Sequence, residues 1–275
     1  MKTHWYILTL LLAAFGAQAQ SDPHELIQAT IAKSRAVKSA AFIIETTERY
    51  NGELRAGSQE VRYQQHPFQV CMTFIHPDPG ATITYDATAN AEKMVYDPLG
   101  FPYMKMELDP MGTLARNNNQ HTIYEIGFDH IGQLIALIYD NHDQVSWLST
   151  DPPTGINRVQ ISSKRRGMST YLVGKDESTR SLSQKLKVSE YKLVELNDVV
   201  REYGTLKEGL ILKVPEYYAL ETIIDIDQST FLPVKLILSD ELGLLSAYSI
   251  SNVELDVAVL QPKMKKKAKS FTVDQ

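Results

Sequence analysis

The chain has 275 residues, 43% of them hydrophobic, a formal net charge of −5 and a single cysteine, Cys71. This balance argues against a nucleic-acid partner and leaves no internal disulfide, so burial must hold the fold together. The length is enough for one large core or two domains.

The N-terminus predicts export. Lys2 opens a short basic start, an apolar run follows from Trp5 to Phe15, and Ala17-Gln18-Ala19 gives the small-x-small pattern of a cleavage site. Residues 1–19 therefore read as a signal peptide cleaved near Ala19. The run is short for a membrane span, and no cysteine follows it to carry a lipid. About 255 residues remain as a mature chain, expected in the periplasm.

A helix is expected over 23–37. Asp22 is placed to cap it, Pro23 suits the first helical position, Glu25 completes a capping box, and Leu26, Ile27, Thr30 and Ile31 share a face. Strands are expected over 40–50 and 58–65, with a hairpin turn at Asn51-Gly52. In the next strand, over 67–77, Phe68, Val70, Met72 and Phe74 alternate with Gln69, Cys71, Thr73 and Ile75. Further strands are expected over 81–87, 92–98 and 101–110, the last alternating Tyr103, Lys105 and Glu107 with Met104, Met106 and Leu108.

A second helix is expected over 122–139. Thr122 and Glu125 make a capping box, and Ile123, Phe128, Ile131, Leu134, Ile135 and Ile138 form an apolar stripe. Strands resume over 157–163 and 169–173, and again over 219–228, 232–240 and 246–256. Asp225–Gln228 and Asp240–Gly243 read as turns. The order helix, meander, helix, meander predicts an α+β fold. One curved antiparallel sheet, a half-barrel over roughly 40–170 and 218–257, carries two helices on its concave face. Such a face either packs solid or encloses a ligand. Met72, Phe74, Met94, Tyr96, Met104 and Met106 suit a pliable lipid-binding wall or an ordinary core.

Several segments carry a family resemblance: "ERYNG" at Glu48–Gly52, "HPFQV" at His66–Val70, "DPGATITY" at Asp78–Tyr85, "YDPLGFPYMKMELDPMG" at Tyr96–Gly112, "QHTIYEIGFDHI" at Gln120–Ile131, and "STFLPVKLILSDELGLLSAYSISNVEL" near the end. Together they resemble an exported bacterial family of unknown function whose fold is similar to the periplasmic lipoprotein carrier (LolA-like). The resemblance implies a carrier-like domain over 22–170 and 216–258, with a lipid or lipoprotein as ligand. Its candidate lining is Phe68, Val70, Met72, Phe74, Met104 and Met106.

Residues 171–215 resemble a LysM module, the small βααβ unit that binds peptidoglycan and chitin. Tyr171, Val173, Leu182, Leu186, Val188, Leu193, Leu196, Asn197, Leu206, Gly209, Leu212, Val214 and Pro215 carry that likeness. It implies that Leu182, Leu186, Leu193 and Leu196 are buried. It also implies a glycan groove between Gly174–Thr179 and Asn197–Tyr203, with Gly174, Asp176, Glu177, Ser178, Thr179 and Asn197 as contacts. The sequence departs from that family's loop, with Asp176-Glu177-Ser178 in place of Gly-Asp-Thr and Thr179 in place of leucine. The loss of the glycine hinders close backbone approach to a sugar. The expected function is thus a non-catalytic cell-envelope protein binding peptidoglycan or another N-acetylglucosamine polymer. The alternative is a periplasmic carrier of a lipid or acyl chain on the concave face.

No catalytic constellation is found. The histidines lack the H-E-x-x-H spacing, and G-x-S-x-G and glycine-rich phosphate loops are missing from the sequence. His121, Asp129, His130 and His142 border the second helix and could meet a metal, but they read as surface and capping groups, so neither metal nor cofactor is expected. Asp97-Pro98 and Asp109-Pro110 read as turns. Residues 259–275 form a basic tail around Lys263, Lys265, Lys266, Lys267 and Lys269.

Overall fold

A computed structural model describes residues 22–101, 103–116 and 119–259. The expected signal peptide and the lysines of the expected tail lie outside them. Helix α1 spans Pro23–Ala36, and Asp22 caps it by accepting the backbone N–H of His24. The first meander comprises β1 (Ser39–Tyr50), β2 (Glu53–Gln64), β3 (Gln69–His76), β4 (Thr82–Asp86), β5 (Met94–Asp97) and β6 (Met106–Leu108). Asn51 and Gly52 both have positive φ, 52° and 78°, which matches the right-handed twist of a two-residue hairpin. After the single turn α2 (Thr113–Arg116) comes α3 (Phe128–Tyr139). It leads to β7 (His142–Asp151) and β8 (Ile156–Ser163). A small unit follows: β9 (Met168–Leu172), α4 (Thr179–Leu186), α5 (Glu190–Glu195) and β10 (Ile211–Pro215). The chain closes with β11 (Glu221–Asp227), β12 (Pro233–Asp240) and β13 (Gly243–Leu255).

Eleven strands make one sheet in the order β6-β5-β4-β3-β2-β1-β13-β12-β11-β8-β7, and β9 pairs with β10 in a separate two-stranded sheet. Each neighbouring pair is antiparallel. Helices α1 and α3 pack together over one part of the large sheet. Leu26, Ile27, Leu134 and Ile135 join Val159 and Ile224 in its core. Gly132 allows the helices to touch, since a Cβ there would lie 2.8 Å from the Cβ of Ser34.

Four expectations need correction. The second helix is not continuous over 122–139. The capping box of Thr122 and Glu125 closes only a 3-10 turn, Ile123–Glu125, and α3 begins after Gly127. Gly127 has φ +104°, and a Cβ there would lie 2.5 Å from the Tyr63 ring. The Tyr63 hydroxyl accepts the Phe128 N–H at 3.0 Å, so the break is built around that ring. The strand expected over 101–110 shrinks to Met106–Leu108, and Phe101, Tyr103 and Met104 are exposed. Asp225 is not in a turn: it sits inside β11, where Arg158 on β8 pairs with it at 2.6 Å. The turn lies further on, where the Asp227 carboxylate accepts the N–H groups of Ser229 and Thr230. Finally, β7 had no counterpart in the reading of the sequence, and β9 belongs to the small unit rather than the large sheet.

The small unit has the βααβ order and its own core, with Val173, Leu182, Val188, Leu193, Leu206 and Leu212 buried. Leu182 and Leu193 are fully buried, while Leu186 and Leu196 are half-buried. The flanking strands β8 and β11 pair directly, with Glu221 opposite Ser162. The unit therefore occupies the place of a hairpin loop and leaves the ladder intact.

Candidate functional site

The register of the first meander places Phe42, Val61, Met72 and Ile83 in one row across β1, β2, β3 and β4. These side chains face α3 and the segment before it across a cavity of 190 Å³. The wall reaches from Met94 on β5 to Leu236 on β12 and Tyr248 on β13, so this face of the sheet bends around the cavity. Along β1 the lining changes character: Phe42 and Ile44 are followed by Thr46 and Glu48. Alternate residues of a strand share a face, so these four positions cover roughly 20 Å, apolar at one end and polar at the other.

The polar end is a connected network. The Tyr248 hydroxyl lies 2.7 Å from Glu48 Oε1 and 2.9 Å from His121 Nε2. Burial, and then the Glu48 charge, push the Tyr248 pKa well above its ordinary value, so the phenol keeps its proton. Its one O–H donates to Glu48, so its oxygen accepts from His121 Nε2–H. That leaves His121 Nδ1 directed to Glu125 Oε2, 3.4 Å away. Burial opposes charge on His121, but the hydrogen bond and charge of Glu125 outweigh it and raise its pKa. Burial likewise opposes ionisation of Glu125. His121, His130 and Arg180 nevertheless hold it well below the usual carboxylate range. Arg180, reaching across from α4, pairs with Glu125 Oε1 at 2.5 Å.

His130 stands apart. Its Nε2 is buried and has no hydrogen-bond partner, a deficit worth about 1–3 kcal/mol in a protein interior. Burial lowers its pKa to about 4, so it is neutral at ordinary pH. His121, Glu125 and His130 each offer a ligand atom, all within 4.8 Å of one another. Of the four residues read from sequence as bordering the second helix, His121 and His130 thus come together, with Glu125 as the third member. Asp129 and His142 do not join them. Asp129 accepts from Gln133, and His142 stacks on Tyr139 at 4.5 Å, beside His24.

The candidate lipid-lining residues divide. Met72 and Phe74 line the cavity. Val70 is buried in the packed core beneath it, and Phe68 packs against Tyr85 and Tyr124. Met104 is exposed, and Met106 pairs with Tyr96 at the β6 edge. The residues that build the polar end, Glu48 and Tyr248 with the His121 group, were not singled out together from sequence. The only signal was the shared face of Phe42, Ile44, Thr46 and Glu48. Cys71 is a buried free thiol whose pKa burial raises.

Most of the candidate glycan contacts, all but Asp176, spend their polar groups within the small unit. Thr179 is fully buried, donating to Glu190 Oε1 and accepting the Gly204 N–H. Asn197 donates to the carbonyls of Leu193 and Lys213 and accepts the Lys213 N–H. Glu177 accepts from Gly174 N–H, Tyr171 and Lys185. Ser178 caps α4 by accepting the Ser181 N–H, and Asp176 takes a left-handed φ of 59°. On the second expected loop, Tyr203 packs against the main body. Its ring lies 3.5 Å from the Arg116 guanidinium and its hydroxyl donates to Asn119 O.

Residues 37–151 match the model of a family described as "Protein of unknown function (DUF1571)", a span of less than half of the chain. Among curated proteins nothing matches. The structure is similar to that of MucB, with 9% identity and a TM-score of 0.44, over 88% of this chain and 62% of that one. The chain thus spans less than two thirds of MucB. It is also similar to a LolA superfamily protein from Nitrosomonas europaea, with 8% identity, a TM-score of 0.32, and coverage of 87% and 96%. For LprF from Mycobacterium bovis the identity is 10%, the TM-score 0.46, and the coverage 87% and 96%.

Proposed function

We propose that this chain is an exported, non-catalytic cell-envelope protein that carries an acyl chain in the cavity between its large sheet and α3. The observation that carries the reading is the cavity's polarity gradient, from Phe42 and Ile44 to Glu48 and His121. An acyl ligand would bury its alkyl part along the apolar row and leave its headgroup at the hydrogen-bonding end. Its volume of 190 Å³ is below the roughly 300–1,000 Å³ of pockets that enclose a whole small molecule. A single alkyl segment fits that space better than a complete lipid. Met72 and Met94 in the wall can repack around chains of different shape. Peptidoglycan binding through the βααβ unit is the less favoured reading, because Thr179 and Asn197 spend their polar groups inside the unit.

Native mass spectrometry of protein purified from the periplasm tests the reading. Retained lipid or fatty acid supports it, and a retained muropeptide supports glycan binding instead. Met72→Trp, which fills the cavity, is expected to abolish lipid retention while the fold persists. Undiminished retention in that variant would remove the cavity from the account.

A further inference from the structure

We propose that His121, Glu125 and His130 form a three-ligand site for a divalent transition-metal ion of the zinc class at the polar end of the cavity. The donor set is chemically apt: two imidazoles and one carboxylate suit zinc or cobalt, whereas calcium and magnesium prefer all-oxygen shells. The geometry is close to what such an ion needs. Bonds of about 2.1 Å at tetrahedral angles hold two ligand atoms about 3.4 Å apart. His121 Nδ1 and Glu125 Oε2 are already separated by 3.4 Å. The third ligand lies within 4.8 Å of both, so a shift of at most about 1.4 Å, within the reach of a side-chain rotation, closes the triangle.

Two further observations point the same way. His130 Nε2 is buried with no partner, and it belongs to a side chain that lines the cavity. A metal ion would satisfy it. His121 is also held as ligating histidines are held. Its Nε2–H is donated to Tyr248, which is backed by the Glu48 carboxylate; this fixes the ring and aims Nδ1 at Glu125 Oε2, so an ion between them would replace the proton that Nδ1 shares with that carboxylate. Arg180 opposes a cation here, but it occupies Glu125 Oε1 and is shared with Glu190; Oε2 accepts the Thr122 N–H at 2.8 Å and keeps a second lone pair for the ion. With three protein ligands, the fourth position would open onto the cavity.

The test uses the full chain without tag histidines, titrated with Co²⁺ and followed by visible ligand-field absorption. One equivalent of Co²⁺ is expected to give the bands of a low-coordinate site, displaced by Zn²⁺ and unaffected by excess Mg²⁺. His130→Ala and Glu125→Gln are expected to weaken binding at least about tenfold. His142→Ala, at the start of β7 beyond the far end of α3, is expected to bind as the parent does. Thermal unfolding of each variant without metal checks that it folds. Should a variant not fold, His121→Ala and the Zn²⁺-dependent rise in melting temperature of the parent decide the matter. No Co²⁺ bands in the parent, or equal binding by a folded His130→Ala protein, would overturn the proposal.

Discussion

Replacing Arg49 by methionine is expected to be among the most damaging single changes outside the apolar core. Arg49 ends β1, and its guanidinium makes five hydrogen bonds: two to Glu195 on α5, two to Asp240 on β12 and one to the carbonyl of Leu244. Lys192, fully buried, adds contacts to Asp240 at 2.7 Å, Glu241 at 3.1 Å and Glu195 at 3.2 Å. The group thus balances two cations against three carboxylates. Arg49→Met leaves one cation for three, and the side chains of Asp240 and Glu195 are too buried for water to compensate. Breaking a buried pair in this way costs about 3–5 kcal/mol. For a chain of this size that corresponds to a fall of about 6–20 °C in melting temperature. Urea unfolding followed by Trp147 fluorescence and far-UV circular dichroism measures it. A second change, Glu195→Gln, returns the group to the parent's net charge and is expected to recover part of the loss. A cost below about 1 kcal/mol, the scale of an exposed pair, would refute the argument, as would strict additivity of the two substitutions.

The same cluster sets an acid limit. Burial raises the carboxylate pKa values of Asp240 and Glu195, but Arg49 and Lys192 lower them further, so both are depressed in the folded state. A depressed carboxylate contributes stability that is present above its unfolded pKa, about 4, and lost as pH falls through the folded value. Urea midpoints of the parent are therefore expected to drop below about pH 4, and more steeply than those of Arg49→Met. Gly127→Ala must put a Cβ into the Tyr63 ring at positive φ, and is expected to cost at least about 1–3 kcal/mol in thermal unfolding. Leu182→Ala, in the core of the small unit, is expected to cost about 2–5 kcal/mol. Hydrogen exchange is expected to rise first in β9 and β10.

Local signals were legible in the sequence wherever the decisive contact was local. Asn51-Gly52 set its hairpin, Asp22-Pro23 its helix start, and the leucine spacing of residues 182–193 its two short helices. The break at Gly127 was not legible, because its cause is a ring on β2, 64 positions earlier in the chain. Strand β7 was missed because Val145 is its one buried position, so its outward face hides the period of two. His121 and Glu125 lie before that same break and His130 in the first turn of α3 after it, so a continuous helix over 122–139 does not describe how the three stand together. The LysM resemblance implies Thr179 and Asn197 as glycan contacts. Loop chemistry alone does not show that partners such as Glu190 and Lys213, distant in sequence, would claim them.

The βααβ unit poses the sharpest choice between a tethered binding module and a docked part of the fold. A module kept for an external polymer would hang from its hairpin position with few contacts to the sheet. Here the face turned to the main body is engaged at several points, while Leu172, Val199 and Ile211 on other faces are exposed. Tyr191 stacks on Tyr50 with centroids 5.6 Å apart and its hydroxyl accepts the Asn51 N–H. The buried Arg116 guanidinium lies 3.0 Å from Glu190 and beneath Tyr203. Arg180 reaches into the cavity network through Glu125. Replacing residues 168–215 with a short turn between β8 and β11 keeps the ladder, but strips these partners from Arg49, Arg116 and Glu125. The shortened chain is expected to lose at least the 3–5 kcal/mol or so of a broken buried pair. Adding Arg116→Met, Glu125→Gln and the pair Arg49→Met with Asp240→Leu, which removes the charges that lost a partner, is expected to restore a good part of it. If the shortened chain instead unfolds at the parent's urea midpoint without those changes, the unit contributes nothing to the fold. It would then have to be regarded as a tethered module, and binding to isolated cell-wall sacculi would become its decisive assay.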